Sequence, residues 1–249
     1  MSQPANGDHA IQITDLCMAF DSQTILDRVN LQVKAGETLV VLGRSGTGKS
    51  VLLRHLIGLQ APDAGSVQVL GAEVTTLAEG PLNELRKKIG FVFQNAALYD
   101  SLSVLENVAF PLRHHTRLAA PERRERALAI LARVGMEDAA AKLPTELSGG
   151  MRKRVGLARA LALDPEIMLY DEPTAGLDPI TAGEINDLVL ELRKERPLSS
   201  IVVTHDLVSA QAISDRVAML DQGLIVFDGP YQDLRSSDNP FVARFVRKG

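Results

Sequence analysis

The feature that most constrains this chain is the stretch Leu39–Leu53, LVVLGRSGTGKSVLL, an apolar run that stops at Gly43 and resumes with helical spacing after Ser50. It reads as a strand, a glycine loop and a helix. Gly43, Gly48, Lys49 and Ser50 hold the fixed positions of G-x-x-x-x-G-K-S, with Arg44, Ser45, Gly46 and Thr47 between them. Gly46 and Gly48 let the backbone turn its N–H groups inward, where side chains would block close approach to phosphate oxygens. The following helix aims its N-terminus, with roughly half a positive charge, at the same oxygens. In such a loop Lys49 reaches the β- and γ-phosphates and the Ser50 hydroxyl ligates Mg²⁺.

At 249 residues the chain can bury a proper core, as one large domain or one and a half ordinary ones. A hydrophobic fraction of 45% with 23% charged residues is that of a soluble globular protein. The formal net charge of -4 argues against a dedicated nucleic-acid binder. The single cysteine, Cys17, excludes an internal disulfide framework; its alternating surroundings, IQITDLCMAF, predict a small buried hydrophobe. The N-terminus has no basic segment followed by an apolar one, and no apolar run reaches the roughly 18 residues of a membrane span. The expectation is a cytosolic chain whose membrane role comes through a partner.

Residues 1–10 read as a flexible tail. Alternation over Ile11–Phe20 and Val29–Val33 predicts antiparallel strands, and Ala64–Gly71 a hairpin-like segment. Leu82–Lys88 reads as a short basic helix and Ile89–Gln94 as a buried strand with a polar end. Between Leu98 and Leu143 only helices are predicted, at Ser103–Val108 and at Pro121–Val134, the latter with proline in its first turn. Strand patterns return at Ile167–Tyr170, Ile201–Val203, Val217–Leu220 and Leu224–Phe227. The alternation implies a largely parallel sheet covered on both faces.

Two further motifs carry chemistry. The run Ile167-Met168-Leu169-Tyr170 closes on Asp171 and Glu172. Asp171 at a strand end can hold Mg²⁺ through its water shell, and Glu172, projecting differently, can polarise a water facing the γ-phosphate. Ser148-Gly149-Gly150, ahead of a helical VGLARALAL, forms a second anion-binding helix start. One pocket has no use for both starts on a single phosphate group; two copies packed head to tail do.

With these motifs in order, the chain resembles an ABC-transporter ATPase subunit from Ile11 to Val246. The resemblance implies an α/β fold: a P-loop NTPase (RecA-like) core at residues 11–95 and 155–249, an antiparallel β subdomain, and a helical ABC-specific insertion at 96–154 carrying the signature. It implies ATP and Mg²⁺ as ligands. Phe20 matches the adenine-stacking aromatic, or is an ordinary core phenylalanine. Gln94 matches the glutamine that senses Mg²⁺ and water, and Ser148, Gly149 and Gly150 the signature that contacts the partner's γ-phosphate. Asp178 matches the loop crossing the dimer interface, and His205 the switch histidine, with a structural role as its alternative. Ser50, Gln94 and Asp171 form the implied metal set, and Glu172, His205 and Gln94 the catalytic one.

Met151 in place of the usual signature glutamine, GRSGTGKSVLL, and FQNAALYDSLSVLENVAFPLRHHT are together similar to ATPases of Mla/Mce-type phospholipid transport systems. That resemblance implies a second copy of the chain, an MlaE-like permease, an MCE-domain lipid-binding protein and, in some systems, a STAS-domain subunit. It places the chain on the cytoplasmic face of the inner membrane and gives it no nucleic-acid partner. Asn95–Leu102 would line the groove for the permease, with Leu98 and Tyr99 as anchors or as core of the insertion. The arginines at 113, 117, 123, 124 and 126 read as a solvated helix face or as contacts to anionic lipid. The sequence stops at Phe245–Gly249, without the longer tail by which some such ATPases reach a neighbour. An ATPase for another solute, and an FtsE-like regulatory ATPase, are the alternatives.

Overall fold

The structure is a computed structural model that describes residues 9–21, 23–196 and 198–248. It forms two compact units: the chain up to Arg86 together with Arg196 onward, and Lys87–Glu195. Of the expected ten-residue tail, residues 1–8 lie outside the described residues, while His9 and Ala10 open the first strand.

The first unit begins with β1 (His9–Phe20), β2 (Gln23–Lys34), β3 (Thr38–Leu42), α1 (Lys49–Leu56), β4 (Ala64–Val69), β5 (Ala72–Glu73) and α2 (Glu79–Arg86). One antiparallel sheet runs β2-β1-β4-β5. The hairpin expected within Ala64–Gly71 supplies one arm only; the chain turns at Leu70-Gly71 and returns as β5. Cys17 departs from the sequence expectation. The register of β1 against β2 shifts between Ile13 and Leu16, so Leu16 and Met18 face inward and Cys17 is only half-buried. Its thiol accepts from the Arg28 amide at 3.3 Å. Helix α2 starts three residues earlier than predicted, with Glu79 and Pro81 both in the first turn, where a carboxylate is favoured and a missing N–H costs nothing.

The second unit contains β6 (Ile89–Val92), α3 (Val104–His115), α4 (Ala120–Arg133), α5 (Gly149–Leu161), β7 (Ile167–Asp171) and α6 (Pro179–Glu195). β6 pairs in parallel with β7, whose five residues are all buried. The expected helical segment 96–154 lies wholly within this unit. Helix α3 opens on a capping box between Ser103 and Glu106, then runs seven residues past its predicted end at Val108 and through Pro111. Val104, Val108 and Leu112, four apart and fully buried, keep it going by packing one continuous stripe.

Asn107, on α3, is fully buried and knits the preceding turn. Its side chain accepts from the Tyr99 amide at 2.8 Å and donates to the carbonyls of Tyr99, Leu102 and Ser103 at 3.0–3.1 Å. Asn107→Leu leaves the Tyr99 amide and the Leu102 carbonyl without that partner, while the Tyr99 and Ser103 carbonyls keep the main-chain amides of Leu102 and residue 107, so it should lower unfolding stability by about 2–4 kcal/mol, on the basis of about 1–3 kcal/mol per stranded buried group. Urea unfolding of the full chain, with an unchanged m-value, checks this.

The chain then returns to the first unit with β8 (Ser199–Thr204), α7 (Leu207–Ile213), β9 (Arg216–Asp221), β10 (Leu224–Gly229) and α8 (Pro240–Lys248). Here the strand order is β10-β9-β3-β8, with β3 parallel to both β8 and β9, and β10 antiparallel to β9. Leu39, Val40, Val41 and Leu42 are all fully buried, each contributing roughly 1.5–3 kcal/mol by leaving water. Burial on both faces is why β3 and β8 read as unbroken apolar runs. Arg216 ties the two sheets of this unit, bonding Glu37 at 2.7 Å and also Asp228 and the Gln32 carbonyl.

Candidate functional site

In the first unit the chain leaves β3 at Leu42, loops through Gly43–Gly48 and enters α1. Gly46 and Gly48 have φ of 82° and 99°, in the left-handed region the loop requires. A Cβ on Gly48 would stand 2.9 Å from Ile25 Cγ2. Lys49 is 6% exposed, and its ammonium donates to the carbonyls of Gly43 at 2.7 Å and Arg44 at 2.9 Å, closing the loop on itself. The Arg44 guanidinium lies over the ring of Phe241 in α8, 5.7 Å from its centroid, so the C-terminal helix touches the loop.

The N-terminus of α1 differs from those of α3, α5 and α7. Gly48 supplies no side-chain cap, and no acidic residue lies in the first turn. Ser103, Ser148 and Asp206 cap the other three. An uncapped, acid-free helix start beside a buried lysine suits an anion. His205 is exposed at the end of β8, followed by Asp206, whose carboxylate accepts from the amides of Val208 and Ser209. Phe20, ending β1, is 45% exposed, which removes its reading as a core phenylalanine.

In the second unit β7 ends on Asp171 and is followed directly by Glu172, both buried, at 9% and 8% exposure. Glu172 has φ of 48°, a conformation that costs a non-glycine residue roughly 1–2 kcal/mol. Its carbonyl accepts from the Ala175 amide at 3.2 Å and from the Lys153 ammonium at 3.0 Å. Lys153, on α5, also donates to the Gln94 carbonyl at 2.6 Å. Burial pushes the Lys153 ammonium below its ordinary value, opposed by the Glu172 and Asp171 carboxylates. Lys153 thus draws together two residues singled out in the sequence, and its own role was not foreseen there. A lysine inside a basic triplet carries no signal of burial.

The signature serine caps its own helix, accepting from the Met151 amide at 3.2 Å. Its hydroxyl retains a proton to donate. A Cβ on Gly150 would stand 2.5 Å from Thr181 Cγ2, so α5 and α6 meet closely there. Asp178 caps α6, accepting from the amides of Ile180 and Thr181 at 3.1 and 3.0 Å and from the Thr181 hydroxyl at 2.6 Å. Those hydrogen bonds hold its carboxyl below the usual range. A cavity of about 350 Å³ brings Gln94 beside the start of α5, lined also by Gly149, Arg152, Lys153 and Leu177. Arg159, another residue not foreseen, donates to the carbonyls of Ala96 and Ala97 at 3.0 and 2.6 Å. Tyr99 is 46% exposed and packs its ring against that of Phe110, 4.6 Å between centroids.

Among the described residues no group of three His, Cys, Asp or Glu side chains could hold a metal alone. The predicted set of Ser50, Gln94 and Asp171 offers hard oxygens with one carboxylate. That donor chemistry fits Mg²⁺, which keeps several waters and takes further oxygens from phosphate.

The family model described as ABC transporter matches residues 26–175. Over 95% of this chain, the probable ribonucleotide transport ATP-binding protein Mkl of Mycobacterium tuberculosis is 41% identical, and the chain spans 66% of that protein. The intermembrane phospholipid transport system ATP-binding protein MlaF of Haemophilus influenzae is 38% identical across 95% of this chain and 90% of its own length. The methionine import ATP-binding protein MetN of Rhizobium johnstonii is 42% identical over 92% of this chain and 63% of its own. A bacterial ABC transporter cassette solved as a dimer matches with a TM-score of 0.83 and 35% identity, covering 89% of this chain and 98% of that one. A dimeric cassette in a post-hydrolysis state with ADP and Pi bound matches with a TM-score of 0.82, at the same identity and coverage. With the ABC transporter model matched over residues 26–175 and relatives 38–42% identical across more than nine-tenths of the chain, the chain belongs to the ABC transporter family of ATP-binding cassettes.

Proposed function

We propose that this chain is the ATP-hydrolysing subunit of a membrane transporter and works as a head-to-tail dimer around two Mg-ATP molecules. The observation that carries the reading is the start of α1: two left-handed glycines, no cap, no acidic residue, and a buried Lys49 at its mouth. Lys49 exchanges its two carbonyl partners for β- and γ-phosphate oxygens. Ser50 and Gln94, with Asp171 through water, would hold Mg²⁺, which would offset the charge of the phosphates. Glu172 accepts the proton of the attacking water, and His205 steadies the γ-phosphate. Phe20 stacks on adenine. Ser148, Gly149 and Gly150 serve the nucleotide on the other copy, with Asp178 at the interface. Ile180, 78% exposed beside Asp178, is an apolar surface that a second copy would cover.

Phospholipid is the cargo this reading favours, because MlaF is the relative matched along 90% of its own length, against 66% for Mkl and 63% for MetN. The partners are then an MlaE-like permease, an MCE-domain protein and, in some systems, a STAS-domain subunit. No helix among the described residues is long and apolar enough to cross a membrane, so the permease would hold the chain at the cytoplasmic face of the inner membrane. MetN and Mkl, at 42% and 41% identity, keep an ATPase for another solute as the second reading.

Affinity purification of the tagged full chain from its native membranes, followed by mass spectrometry of proteins and lipids, tests the cargo. The expected result is a permease and an MCE-domain protein with bound phospholipid, and ATP turnover raised by their presence. Recovery of a permease with a solute-binding protein and no bound lipid would overturn it.

A further inference from the structure

One face of α5 carries three positions, each three residues from the last, that all meet the segment 94–97. Lys153 donates to the Gln94 carbonyl at 2.6 Å. At Gly156 an added Cβ would stand 3.0 Å from the Cβ of Ala96, so the helix backbone lies directly against the loop. Arg159 donates to the carbonyls of Ala96 and Ala97, and its guanidinium lies 6.0 Å from the centroid of Tyr99. Residues at this spacing share a face of a helix, so one rigid element sets the whole segment.

The segment needs holding. Ala96 and Ala97 have φ of 57° and 48°, two consecutive left-handed residues with no glycine between them. Glu172 has φ of 48°. Each such residue is strained for a side chain with a Cβ, and hydrogen bonds from charged donors, stronger than neutral ones, offset that strain. Lys153 is the only one of these side chains that bonds both segments. Its ammonium also reaches the Glu172 carbonyl at 3.0 Å from a site 7% exposed, where an unmade bond would be costly.

We infer that Lys153 is a positioning residue for hydrolysis, fixing the main chain of Gln94 and of Glu172 from the helix that bears the signature motif at its head. It acts through the two residues whose carbonyls it holds. Because α5 begins at Gly149, a shift of the signature along the helix axis is transmitted to both residues together. The inference rests on the proposed roles of Gln94 and Glu172.

The test is steady-state ATP turnover of the full chain, with nucleotide affinity measured separately by titration, for Lys153→Met, Lys153→Gln and Lys153→Arg, with Glu172→Gln as the reference. Lys153→Met should lower kcat about tenfold and leave ATP affinity within about twofold, since the phosphate loop is untouched, on the basis that misplacing a catalytic group can cost about 10²-fold. Gln or Arg, each still a donor, should recover part of that loss. If Lys153→Met does not fold, Lys153→Gln carries the test, with a kcat below wild type at unchanged affinity. Wild-type kcat in the folded variants, or a parallel loss of kcat and affinity with no recovery by either donor, overturns the positioning role. Full turnover in Glu172→Gln overturns instead the assignment of Glu172 on which the inference rests.

Discussion

Glu172→Gln should bind ATP as the wild type does and lose at least about 10²-fold in turnover, the usual worth of a general base. The replacement is isosteric, so the buried side chain keeps its place at the end of β7, and the main-chain bonds from Ala175 and Lys153 do not involve the altered group. What changes is that an amide cannot take a proton. With closure favoured by γ-phosphate contacts and release dependent on hydrolysis, the variant should accumulate as an ATP-bound dimer. Phosphate release assays and light scattering in Mg-ATP check the two halves separately. Wild-type turnover would remove Glu172 from the reaction; low turnover without a dimer would leave its role as base and remove the trapped state.

Lys49→Ala should weaken ATP binding about 10- to 100-fold, since a hydrogen bond to a charged group contributes about 1.5–3 kcal/mol and each 1.4 kcal/mol is tenfold. The structure adds a second cost. Lys49 holds the Gly43 and Arg44 carbonyls at 2.7 and 2.9 Å, so its loss also removes the bonds that keep the loop closed. Titration with a fluorescent nucleotide measures the affinity, and unchanged binding would refute the phosphate-loop assignment. Lys49→Met, which restores the aliphatic stem but not the bonds to the two carbonyls, should recover only the packing part of the stability and none of the affinity.

The places of these two residues were legible in the sequence because the patterns that set them are local. A loop of fixed length between a buried strand and a helix has few uses, and an apolar run that ends on two carboxylates declares a strand end at a site. The wholly buried β3, β7 and β8 were legible for the same reason: their apolar runs need no partner to be recognised. What was hidden depends on distant partners or on single-residue irregularities. The bulge after Ile13 moves Cys17 from the inner face to the outer one. Helix α3 outlasts Val108 because Leu112 finds a buried place, despite Pro111. Lys153 looks like a member of an exposed basic triplet and Arg159 like a lone cation in an apolar helix; only the fold reveals that each holds backbone carbonyls of the segment 94–97.

Asp178 is held by three hydrogen bonds within its own chain, before any partner arrives. An interface side chain that must be frozen on contact costs about 0.5–1.5 kcal/mol in lost rotamer freedom. For Asp178, if it sits at the interface as proposed, that freedom is already gone in the single subunit, and a two-fold dimer would gain the saving at both copies. Association would therefore meet a surface already in its docking shape at this point, leaving the nucleotide, rather than loop ordering, to decide when two copies join.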